Sequence, residues 1–148
     1  MNQTAVAFRP TPGLDSGAAD SRRDPAVRKR LSAPAMRSFL NIARAWTLSV
    51  EEQRGLLGWP AASTYHKYKN GDVGTLSYDM LTRISLVLGI YKALHILYDD
   101  ALADRWVKLP NAHPLMGGGP ALALMVEGGI DGLYRVRRLL DARRGGWN

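Results

Sequence analysis

Near the middle of the chain, Ser63, Thr64, His66, Lys67 and Lys69 form a compact run of polar and cationic side chains. Two ammonium groups can neutralise phosphates, and the hydroxyls of Ser63 and Thr64 can donate to a phosphate or touch a base edge. Tyr65 and Tyr68, three residues apart, fall on the opposite face of the same helix and are expected to pack inward. The flanking sequence "LGWPAASTYHKYKNG", Leu57 to Gly71, reads as the turn and second helix of a helix-turn-helix whose turn is one residue longer than usual. A short helix braced by another offers its outer side chains to DNA in this way. The outer face carries no Arg, Asn or Gln poised for a bidentate base contact, which points to phosphate binding more than to sharp sequence reading. The competing view is a plain solvated face with ordinary lysines.

Other chemistry is hard to build from this sequence. Cysteine is absent, and the three histidines, His66, His95 and His113, are scattered with no HExxH spacing. Neither a disulfide scaffold nor a metal site is expected. Gly117-Gly118-Gly119 follows a helix and lacks the lysine of a phosphate-binding loop, so it predicts a turn. Asn111 is expected to cap the adjoining loop through its own side chain, His113 to lie at the surface, and Trp106 to lie in the core. With no nucleophile-base pair either, the expectation is a protein that is not an enzyme and holds no cofactor.

The elements that would position these residues are helices. The chain has 148 residues, 46% apolar, with 20 basic residues against 13 acidic and a net charge of +7. That balance favours polyanionic partners, nucleic acid first among them. Residues 1–32 hold several prolines and glycines, Arg22-Arg23 and Arg28-Lys29-Arg30, with few large apolar residues. They predict a disordered basic tail, or an arm that reaches phosphates. From Pro34, the residues Met36, Phe39, Leu40, Ala43 and Trp46 make one helical stripe. Ser49-Val50-Glu51-Glu52 is a capping box that starts a second helix, ended by Gly58. Pro60 suits the first turn of the next helix, which Asn70-Gly71 closes. A nearly all-apolar helix opens at Ser77 and runs to Gly89, "IYKALHIL" continues it, and Asp99 or Asp100 begins a short one. Pro120 restarts a helix, and Ile130 to Arg144 forms the last, with Leu133, Val136, Leu139 and Leu140 inward and Arg135, Arg138 and Arg144 outward. No apolar run reaches about 18 residues, and the N-terminus has no signal pattern, so a cytoplasmic protein with no membrane contact is expected. The fold class is all-α.

Taken in order, Trp106, Pro110-Asn111, Gly117 to Pro120, and a glycine pair before "LYRVRRLL" resemble the Xre-type antitoxins with an MbcA/ParS toxin-binding domain. The resemblance covers about residues 36 to 148 and is strongest from Ile84 onward. It implies an Xre-like helix-turn-helix domain at 33–89 and a small helical toxin-binding domain at 90–148. It further implies an antitoxin of a type II toxin-antitoxin system, in a homodimer. Its partners would be promoter DNA, bound for autoregulation, and a RES-domain toxin, an NAD-consuming or ADP-ribosylating enzyme whose active site the antitoxin blocks. "GWPAAST" replaces a tighter turn such as Gly-Val-Ser-Arg, a departure that bears on DNA binding more than on toxin pairing.

The C-terminus "RRGGWN" is open to two readings. Trp147 packs back on the last helical turn beyond a glycine cap, or Trp147 and Asn148 extend into the toxin's NAD pocket. The resemblance favours the second, with Arg138, Arg143 and Arg144 as the adjoining toxin-binding residues. A stand-alone helix-turn-helix regulator is the alternative function, and a small nucleotide-acting enzyme is a remote third.

Overall fold

The computed structural model describes residues 21–145. Seven α-helices follow a short 3-10 turn at Ser21–Arg23: α1 Pro25–Ala45, α2 Val50–Leu56, α3 Ala62–Lys69, α4 Tyr78–Leu97, α5 Asp100–Arg105, α6 Ala121–Glu127 and α7 Gly129–Arg144. Two further 3-10 turns, Trp106–Lys108 and Pro114–Met116, lie between α5 and α6. No strand occurs among the described residues, in keeping with the all-α expectation.

The first helix begins well before the expected boundary. Asp24 caps it by accepting the N–H of Ala26, and Pro25 occupies the first turn, where a missing amide costs nothing. Arg28-Lys29-Arg30 are therefore helical, and Arg28 bonds back to the carbonyls of Arg22 and Arg23. Leu31 and Ser32, assigned by sequence to a tail, are buried. The tail reading thus fails from residue 21 to residue 32, because Leu31 and Ser32 supply burial that the low apolar content of the whole segment concealed. Residues 1–20 lie outside the described part. Pro34, expected at the start of the helix, lies inside it.

The central helix α4 is capped by Ser77, whose Oγ accepts the N–H of Met80. It packs chiefly on α7 and α1, with α6 against α7 and α2 against α6. Leu81, Ile84, Val87, Ile90 and Leu94 all fall within its buried surface. It runs unbroken through Gly89 and Ile90, so the expected domain boundary there falls inside one rigid element. By length and composition α4 is apolar enough to cross a membrane although charged residues interrupt its sequence; more than half of its most apolar window is buried inside this fold.

Two close approaches fix the remaining helices. A Cβ on Gly55 in α2 would lie 2.5 Å from Cγ1 of Val126 in α6. A Cβ on Gly132 in α7 would lie 2.2 Å from the carbonyl oxygen of Leu124 in α6. At Gly132 the neighbour is backbone, so only glycine lets α7 come this close to α6, and the corner between them is written in "EGGIDG".

Candidate functional site

Two surfaces hold the candidate residues, one near the middle of the chain and one at the end of the last helix. The first is α3. The capping box that launches α2 is present as expected: Ser49 Oγ accepts the N–H of Glu52, and the Glu52 carboxylate accepts the N–H of Ser49. Gly58 takes a left-handed conformation, with φ +88°, and Trp59 follows it at +65°. Such an angle is strained for a bulky side chain. Arg54 braces this turn, donating from Nε to the Pro60 carbonyl at 2.9 Å and lying 5.8 Å from the Trp59 ring. Pro60 precedes the helix rather than opening it, because Ala61 is the N-cap.

No side chain caps the start of α3. Its first amides are left to solvent at the positive end of the helix dipole. Ser63, His66, Lys67 and Lys69 are exposed and Thr64 is half-buried, so the five residues share the outer side of the helix. Tyr65 is fully buried and its hydroxyl donates to Gln53 Oε1. Burial pushes the phenol well above its ordinary pKa. Tyr68 is only half-buried, stacked edge-on against Tyr65 with ring centroids 6.3 Å apart. The inward pair is thus one anchor and one flank.

The second surface is the end of α7. Leu133, Val136 and Leu140 point into the core, Leu139 is half-buried, and Arg135, Arg138, Arg143 and Arg144 are exposed. Arg138 lies 5.9 Å from the Tyr134 ring, and Arg143 donates to the Tyr98 hydroxyl at 3.2 Å. Arg144 is 3.7 Å from an oxygen of Asp141, whose other oxygen accepts Arg137 Nε at 3.1 Å. Arg138, Arg143 and Arg144 therefore gather at one end of one helix. Trp147 and Asn148 lie outside the described residues.

Between these surfaces is the loop that sequence reading marked. Asn111 Oδ1 accepts the N–H of His113, the side-chain cap expected of it. His113 is half-buried and its ring Nδ1 accepts the N–H of Leu115, a turn cap rather than a ligand. Gly117 and Gly118 both adopt positive φ, and Trp106 is buried. No cluster of metal-ligating residues occurs among the described residues.

Sequence reading missed a clasp at the junction of α4 and α5. His95 places Nδ1 3.1 Å from Asp100 and Nε2 2.8 Å from Asp104, and the Tyr91 ring lies 4.2 Å from the imidazole. Burial and the two carboxylates hold the Tyr91 phenol above its ordinary pKa. The i, i+5 and i, i+9 spacings were visible, but only the bend after Tyr98 brings them together.

Residues 92–146 match the profile of the antitoxin Xre/MbcA/ParS C-terminal toxin-binding domain. The uncharacterized protein y4oB of Sinorhizobium fredii is 41% identical over 132 residues, which cover 88% of this chain and 94% of that protein. An all-α protein with a toxin-binding segment of this kind is of the antitoxin class. This chain belongs to the Xre/MbcA/ParS antitoxin family. Its C-terminal part is a toxin-binding domain, and its partner is a toxin.

Proposed function

We propose that this antitoxin neutralises a RES-domain toxin, an enzyme that consumes NAD or transfers ADP-ribose, by covering its active site with the end of α7 and the residues beyond. The observation that carries the reading is the match at 92–146, joined to an α7 that buries one side and turns Arg138, Arg143 and Arg144 outward. Charged residues at the rim of such an interface chiefly set how fast the partners meet. A large aromatic residue such as Trp147 is the type that anchors one. The role is binding, with no catalytic step assigned to this chain.

The α3 face serves the second half of the role, binding the promoter of its own operon as a homodimer. Exposed Lys67 and Lys69, the hydroxyls of Ser63 and Thr64, His66, and an uncapped helix start supply phosphate contacts. They support backbone binding more than base discrimination, since the commonest bidentate base readers are missing.

Coexpression with a RES-domain toxin encoded beside this gene tests the first half. Cellular NAD should stay at the level of a toxin-free strain, and the two proteins should copurify. Depletion of NAD despite equal expression of a folded antitoxin would rule this pairing out.

A further inference from the structure

Between Asp24 and Glu51 the chain contains no carboxylate, yet it carries Arg28, Lys29, Arg30, Arg37 and Arg44. Arg28 is folded back on the carbonyls of Arg22 and Arg23. Arg30, Arg37 and Arg44 recur every seven residues and are all exposed. At 100° per residue, seven residues fall about 20° short of two turns, so the three guanidinium groups keep to one narrow stripe. Their spacing along the helix axis is about 10.5 Å, and the stripe spans about 21 Å. Arg44 bonds to Asn41 Oδ1, a neutral neighbour on the same face. None of the three forms an ion pair among the described residues.

Other helices mix paired arginines with cations, such as Arg138 and Arg143, that form no ion pair among the described residues. Arg54, Arg83, Arg135, Arg137 and Arg144 are each paired with an acidic residue three or four positions away. On α1, a helix of 21 residues, no such pair occurs among the described residues. A row of unneutralised like charges destabilises a helix slightly, and a polyanion laid along it would reverse the sign.

The position of the stripe identifies the polyanion. Arg37 of α1 and Lys69 of α3 line the same small hollow of about 140 Å³, floored by Met36, Leu40, Tyr68 and Val73. The stripe therefore adjoins the α3 face at Lys69. It also lies wholly outside residues 92–146, the toxin-binding segment. We infer that Arg30, Arg37 and Arg44 form a track for the phosphate backbone of duplex DNA that extends the footprint of α3 along α1. Duplex DNA presents about a dozen phosphates over such a length, so three cations find partners without a special register. The contribution is independent of sequence. This inference rests on the reading of α3 as a DNA-binding face.

The test is fluorescence anisotropy of the full chain on its own promoter duplex and on an unrelated duplex of equal length, over a salt series. Arg30→Gln/Arg37→Gln/Arg44→Gln removes the charges and keeps a polar side chain of similar helix preference, and Lys67→Ala/Lys69→Ala is run beside it, with thermal melts as a fold check. The arginine triple should weaken binding about tenfold or more on both duplexes. Its log-log salt slope should become shallower by about 2.7 per protomer, at about 0.9 per phosphate lost. If the lysine variant loses binding and the arginine triple keeps both affinity and slope, the track is wrong and the α3 reading stands. No binding of either duplex by the unaltered chain overturns both. A triple that binds DNA normally but no longer copurifies with the toxin makes the stripe a protein-facing surface instead.

Discussion

The hydroxyl of Ser32 accepts the backbone N–H of Leu76 at 2.8 Å, while donating to the carbonyl of Arg28 at 2.6 Å. One small side chain inside α1 thus fixes the segment that leads into the central helix, forty-four residues later in the chain. Ser32 is completely buried, and so is Leu76. Ser32→Ala removes the acceptor and leaves the Leu76 amide in the core without it. The expected loss is about 1–3 kcal/mol of stability, read as a lower midpoint in urea with an unchanged slope. An unchanged midpoint would mean that water reaches Leu76.

Tyr65, rather than Tyr68, should dominate the stability of the α3 region. Tyr65→Ala removes a fully buried ring and is expected to cost about 3–5 kcal/mol. Tyr68→Ala, at a half-buried position, should cost clearly less. Thermal melts of the two variants decide the order, and a larger drop for Tyr68→Ala would reverse the assignment of anchor and flank.

The same ring gives a pH dependence. The folded phenol of Tyr65 titrates well above the unfolded value of about 10 because burial disfavours the phenolate. The unfolded chain therefore loses its proton first as pH rises. The contribution is fully present below pH about 10 and falls away above it, so stability should decline in alkali. Tyr65→Phe should flatten part of that decline, measured by urea titrations between neutral pH and about pH 11. Parallel curves for the two proteins would assign the alkaline loss to other groups.

Gly132→Ala and Gly89→Ala should differ although both glycines are tightly approached. At Gly132 the new methyl would meet the Leu124 carbonyl oxygen at 2.2 Å, a backbone atom that cannot swing aside. At Gly89 it would meet the guanidinium of Arg137 at 2.0 Å, the far end of a flexible side chain. We expect about 1–3 kcal/mol of destabilisation at Gly132 and a smaller effect at Gly89. Equal losses in chemical denaturation would show that Arg137 is held as firmly as the backbone.

Deleting Trp147 and Asn148 should leave the melting temperature and DNA affinity unchanged while toxin neutralisation falls about tenfold or more, in line with loss of an aromatic interface anchor. NAD levels in coexpressing cells report the difference. If they match those with the full-length chain, the two residues do no more than finish the helix.

Much of this architecture can be read from local signals. Ser49, Ser77 and Asp99 cap helices as their types require, and Asn111 closes its loop as asparagine does in turns. Such features involve residues within a few positions of one another. What escaped depends on distance in the chain. The start of α1 was misplaced because Leu31 and Ser32 become interior only when α4 and the segment at Leu76 lie against them. The resemblance places a domain boundary after Gly89, yet α4 runs through that position, where the glycine makes room for Arg137. The cations of α1 were noted as a short basic cluster, but their alignment with Arg37 and Arg44 needed the helix to be known from Pro25 onward. In α3, the exposure of Lys67 and Lys69 followed from periodicity alone. The His95 clasp needed the fold.

The unbroken course of α4 has a bearing on how such a protein is removed from a cell. Proteases separate functions by cutting the loose chain between them. On the proposed reading, the segment that would divide the DNA-facing half from the toxin-facing half is α4, more than half of whose most apolar window is buried. No nick within α4 can liberate one half in working order, since each loses part of its interior. On the reading proposed above, a cut within α4 would end both activities together.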